Sequence, residues 1–116
     1  MNLGEISRQL GLMNLTPELL PGQFNVTAGF VSDLLSDVLA NAPAGGILVT
    51  VQLHMNVVAV ALHAELSAII FAAGRRCEEA VRAKAIEERI CLLATDMSAF
   101  EVVGRLYELG VRGRGV

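Results

Sequence analysis

Aromatic residues are scarce. Tryptophan is absent, and one tyrosine and four phenylalanines are all that 116 residues hold. Stacking platforms for bases or sugars need more than that. A basic excess is missing too: nine Lys and Arg stand against twelve Asp and Glu, a formal charge of −3. Nucleic-acid binders normally show a basic face, so that class is excluded. Charged residues of either sign reach only 18%, while hydrophobic residues make up 53%, which excludes a disordered chain. Cysteine is limited to Cys77 and Cys91, with no C-x-x-C spacing and no flanking His pair. Neither a zinc site nor a disulfide framework is indicated, and no metal or cofactor is expected.

Catalytic signatures are missing as well. No G-x-S-x-G or H-E-x-x-H occurs, and Gly45-Gly46 is not followed by the Lys and Ser or Thr of a phosphate loop. The most apolar stretch, Val57 to Gly74, is broken by His63, Glu65 and Ser67. A glutamate there would cost about 3 kcal/mol in lipid. A buried helix followed by a buried strand explains the stretch better than a membrane span. The N-terminus carries Glu5, Ser7, Arg8 and Gln9 where a signal peptide would be apolar, so a cytoplasmic location is expected.

What the chain does contain is a regular alternation. Residues 1–22 read as a short helix, Asn2 to Leu12, and a loop rich in Pro and Gly. Asn2 and Glu5 have the spacing of a capping box, and Gly11 is a stop signal. Strands are then predicted over Phe24–Val31, Ile47–Val51, Ala68–Ala72 and Ile90–Ala94. Helices are predicted over Ser32–Ala42, Asn56–Leu66, Cys77–Arg89 and Ser98–Leu109. A strand and a helix recur about every 20–25 residues, the signature of βαβ crossovers. The expected fold is a single α/β domain over residues 1–116, layered α/β/α, with a mainly parallel sheet of about four to five strands. The tail 111–116 is expected to fray.

Parallel sheets bind ligands outside the carboxyl ends of their strands, where helix N-termini also converge. The polar residues predicted at that edge are Ser32, Asp33, Gln52, His54, Asn56, Arg75, Thr95, Asp96 and Ser98. Helix capping accounts for Ser32, Asp33, Asn56 and Ser98 singly. Gln52 and His54 are not preferred caps, and they centre a candidate site for a small polar or anionic ligand. Arg75 would add charge for a phosphate or carboxylate. His54 lacks an identifiable nucleophile beside it, so catalytic residues are not assigned.

Two further features stand out. Cys77 follows Arg75 and Arg76 and opens a predicted helix; small apolar packing is the favoured role, and a thiol whose pKa is lowered by that setting is the alternative. The segment Val57 to Leu62 is apolar around its whole circumference, so it lies deep in the fold or is covered by a second copy. A homodimer or higher homo-oligomer is the expected partner arrangement.

The segments Gly29–Ala42 (GFVSDLLSDVLANA), Val49–Ala61 (VTVQLHMNVVAVA) and Met97–Gly110 (MSAFEVVGRLYELG) resemble the DRTGG domain family. The name-giving motif maps onto Asn25 to Gly29, where Thr27 and Gly29 match. The resemblance covers nearly all of the chain after Phe24. Such modules are stand-alone proteins or middle domains of some phosphotransacetylases, and look like the N-terminal domain of HPr kinase/phosphorylase. The resemblance implies a small regulatory α/β module without catalytic residues. The resulting expectation is a non-enzymatic regulatory or interaction module that self-associates and senses a small anionic metabolite or nucleotide, with a small-molecule effector or a protein as partner. The rivals are a small enzyme acting on a phosphorylated substrate through His54, and a structural subunit of a larger complex.

Overall fold

A computed structural model describes residues 1–114. The elements, in order, are α1 (Leu3–Leu10), β1 (Met13–Asn14), a 3-10 turn (Pro21–Gln23), β2 (Gly29–Val31), α2 (Leu35–Asn41), β3 (Ile47–Thr50), α3 (Val57–His63), β4 (Ala68–Phe71), α4 (Glu79–Glu87), β5 (Cys91–Ala94) and α5 (Ala99–Leu109). The sheet runs β1-β5-β4-β3-β2, with β2 to β5 parallel and β1 antiparallel on the edge. The α/β class and the mainly parallel five-stranded sheet are as the alternation requires.

Strand periodicity divides the core in two. Ile47, Val49, Ala68, Ile70, Cys91 and Leu93 face one side, where Leu3, Ile6 and Leu10 of α1 and Val102 and Leu106 of α5 cover them. Leu48, Ile69, Phe71 and Leu92 face the other, under Val38 of α2, Val57, Val58 and Ala61 of α3, and Val81 and Ala85 of α4. Both faces are dry, which is why the three inner strands read as continuous apolar runs. Thus α3 is only half-enclosed. Its sheet-facing side is buried, while Ala59 and Leu62 reach solvent, Leu62 being 44% exposed.

Several boundaries differ from the sequence expectation, each for a local reason. The predicted strand 24–31 keeps only Gly29–Val31; Asn25 makes an isolated bridge to Asn2. Helix α2 starts three residues late, because the chain bends at Asp33, which is drawn to the end of β3, and Leu34 stays extended. Helix α4 starts at Glu79 and not at Cys77, and it ends before Arg89, which sits at φ 58°. The capping box is half-formed: Asn2 Oδ1 accepts from the N–H of Gly4 at 2.8 Å and of Glu5 at 3.3 Å. The Glu5 carboxylate instead turns along the helix to Arg8 and Gln9. The expected fraying of 111–116 is corrected as far as Arg114. Val111 is buried, Arg112 O accepts from Gly29 N–H at 2.9 Å, and Arg114 donates to Asn41 O. A Cβ on Gly29 would come within 3.2 Å of Val111, so this glycine admits the tail beside β2. Gly115 and Val116 lie outside the described residues.

The predicted loop 16–22 hides a sheet contact. After β1, Leu15 N–H donates to Leu92 O at 2.9 Å. The buried hydroxyl of Thr16 then accepts from Leu92 N–H at 3.1 Å, finishing the edge where the backbone turns away. Thr16→Val keeps the shape and removes the acceptor. A buried N–H left unpaired costs about 1–3 kcal/mol, and we expect a loss of that size in urea unfolding.

Candidate functional site

The loops leaving the parallel strands at their carboxyl ends bring the nine predicted polar residues to one edge of the sheet, in two groups. The first belongs to β2 and β3. Asp33 Oδ1 accepts from Thr50 Oγ1 at 2.9 Å and from Val51 N–H at 2.8 Å. Gln52 Nε2 donates to Asp33 O at 3.1 Å, and Gln52 Oε1 accepts from His54 N–H at 3.0 Å. His54 Nδ1 in turn accepts from Asn56 N–H at 3.1 Å, and Ser32 Oγ accepts from Leu34 N–H at 3.2 Å. One chain of bonds therefore runs from Asp33 to Asn56. Asn56 occupies the N-cap position of α3 without a side-chain capping bond.

This bonding has a chemical consequence for His54. An Nδ1 that accepts a backbone N–H puts the proton of the neutral ring on Nε2. Neither ring nitrogen then offers a free lone pair to a substrate proton.

The second group belongs to β4 and β5. Thr95 Oγ1 accepts from Met97 N–H at 3.2 Å, and Ser98 Oγ caps α5 by accepting from Glu101 N–H at 3.2 Å. The β4 loop is clasped to the β5 loop by Ala73 N–H on Met97 O at 2.7 Å and by Gly74 N–H on Thr95 O at 3.0 Å. Both Ala73 and Gly74 adopt positive φ, 57° and 73°, and that turn carries Arg75 and Arg76 over the edge. Arg76 pairs with Asp96 at 3.3 Å. The Arg75 side chain has no hydrogen bond or ion pair among the described residues. Since neighbouring strands lie about 4.8 Å apart, β2 and β5 stand roughly 14 Å from each other. No side-chain hydrogen bond among the described residues joins the two groups.

Shape distinguishes the halves further. A cavity of about 340 Å³ opens on the β5 side, and its walls include Thr95, Asp96 and Arg76 together with Leu10, Met13 and Arg105. A smaller one of about 160 Å³, between α1 and α5, shares Leu10 and Arg105 with it. Arg76, Arg105 and the end of α1 were not among the predicted residues. The sequence signal for Arg76 was its place beside Arg75. Nothing in the sequence shows that α1 lies against α5.

Cys77 takes the packing role and not that of a reactive thiol. It lies two residues before α4 and packs against the α2–α4 side of the core. Burial pushes its pKa up, outweighing its own backbone hydrogen bond and the nearby Arg82. Cys91, in the sheet, is pushed up to about 11 by burial. Because the thiolate is the nucleophile, we expect Cys77 to react with a disulfide reagent at pH 7.5 more slowly than free cysteine. Cys91 should react only on unfolding. Faster-than-cysteine labelling of Cys77 would contradict the burial argument.

No family model matches the chain, and no curated protein matches it. Among solved structures, it is similar to the CBS and DRTGG domains of the regulatory region of Clostridium perfringens pyrophosphatase, complexed with the activator diadenosine tetraphosphate. The TM-score is 0.67 at 13% sequence identity. The match covers 89% of this chain and 44% of that one, so the chain spans less than half the length of the protein it resembles. The α/β/α layering, the mainly parallel sheet and this likeness give one conclusion: the chain shares its fold with part of a regulatory region that includes a DRTGG domain.

Proposed function

We propose that the chain is a non-catalytic regulatory module that self-associates and responds to a small anionic metabolite or nucleotide. The observation that carries this reading is the fold likeness over nearly the whole chain to a regulatory region crystallised with a nucleotide activator. The hydrogen bonding of His54 supports it, since the imidazole is committed to holding the β3–α3 loop. The DRTGG resemblance of the sequence points the same way. Self-association is supported by large apolar side chains left in solvent on α2, α3 and α5, among them Leu39, Leu62 and Phe100.

A thermal-shift screen with nucleotides, diadenosine tetraphosphate and central metabolites tests the sensing role. A ligand at about 100 times its Kd should add roughly 2.7 kcal/mol of stability. Sedimentation tests the assembly, and a clean monomer at micromolar concentration would remove self-association from the proposal. A reproducible turnover abolished by His54→Ala in a folded chain would replace the regulatory reading with the enzymatic one.

A further inference from the structure

We propose that the cavity at the carboxyl end of β5 binds a small ligand through its phosphate or carboxylate group, held between Arg76 and Arg105. The inference rests on the reading of the chain as a ligand-responsive module and names the place and the chemistry. It moves the centre of the site away from Gln52 and His54.

The charge pattern carries it. Most cations of this acidic chain are committed elsewhere. Arg82 is held by Glu18 and Glu79, Lys84 by Glu88, and Arg89 and Arg112 lie over the rings of Phe24 and Tyr107. The two guanidinium groups on the cavity wall are held less firmly: Arg76 donates to Arg75 O at 3.0 Å and to the exposed Asp96 carboxylate at 3.3 Å, and both partners lie at the surface. Arg105 makes no hydrogen bond among the described residues, and its one carboxylate neighbour, Glu101, stands at 3.7 Å, beyond hydrogen-bond length. Arg76 pairs with Asp96 at 3.3 Å, but that carboxylate is 90% exposed, so water screens the pair and an incoming anion can displace it cheaply.

Geometry agrees with charge. The two arginines arise from separate elements, Arg76 from the β4–α4 loop and Arg105 from α5, and line the same cavity. About 340 Å³ is within the size range of small-molecule sites. A guanidinium offers a planar fork of donors that fits a phosphate or a carboxylate in bidentate fashion. Asp96 is the opposing charge on the wall, and it predicts a sign: removing it should strengthen anion binding.

The test is an amide NMR titration of the full chain with inorganic pyrophosphate and, separately, citrate, which distinguishes a phosphate source from a carboxylate one. Saturable shifts are expected at Gly11, Thr95, Asp96, Met97 and Arg105. R76Q and R105Q should each weaken binding about tenfold or more, as for loss of one charge-assisted contact. D96N should tighten it severalfold, and R8Q, on the exposed side of α1, should leave it unchanged. Circular dichroism checks that each variant is folded. No saturable shift with either anion overturns the inference; stabilisation by a nucleotide in the thermal screen, without shifts at Thr95, Asp96 and Met97, would then still uphold a module that responds to an anionic ligand bound elsewhere. Shifts centred on Gln52 and His54 overturn it by placing the site between β2 and β3. Equal weakening by R8Q and R76Q overturns it by showing general charge attraction.

Discussion

Val58→Asp is expected to abolish folding. Val58 is fully buried on the sheet-facing side of α3, among Leu48, Ile69 and Phe71 of the second core cluster. An aspartate there loses the packing of the valine and must either ionise without a partner or bury a neutral acid. An uncompensated buried charge costs several kcal/mol. A domain of this size has about 5–15 kcal/mol in total. Far-UV circular dichroism of the soluble fraction should show an unfolded chain, or no soluble fraction should remain. Leu62→Asp, one turn further on and facing solvent, is the control. It should fold as the parent does, and it should dissociate the assembly if the outer side of α3 is where two copies meet.

Phe71→Ala should be the most damaging truncation in the sheet, at about 3–5 kcal/mol. Phe71 is the largest fully buried side chain, and it ends the central strand β4 between Thr50 of β3 and Ala94 of β5. Backbone pairing on both sides holds the strand in place, so the neighbouring walls cannot collapse fully into the void. Phe100→Ala offers the contrast within one residue type. Phe100 is 87% exposed on α5, and its truncation should change stability by less than about 0.5 kcal/mol. Urea unfolding of both variants decides the matter. Equal losses would mean that Phe100 is covered in solution.

The parallel sheet was legible in the sequence because its signal is local. Ile47–Thr50, Ala68–Phe71 and Cys91–Ala94 are each buried on both faces, so each is a run of apolar residues of strand length between turn residues, ended in β3 by the buried Thr50. The caps of α1 and α5 were legible for the same reason, since Asn2 and Ser98 act on residues only a few positions ahead. The antiparallel β1 was not legible. Its two residues are too short to show alternation, and their pairing with β5 spans about eighty positions of chain. Thr16, read as part of a loop, caps that same edge through a bond of equal range.

The candidate site divides along the same line. Sequence periodicity placed Ser32, Asp33, Gln52, His54, Asn56, Arg75, Thr95, Asp96 and Ser98 at the strand ends, because each follows an apolar run directly. Which of those ends share a cavity depends on strand order, and composition carries no record of it. Strand order puts β2 at one edge and β5 beside β1, and packing brings α1 against α5. The cleft with Arg76 and Arg105 arises only from that arrangement. The sequence alone determined the layers, the strand run-outs and the shortage of catalytic motifs. The tertiary structure alone decided which polar groups satisfy one another and which stay open, because that depends on distances between residues far apart in the chain.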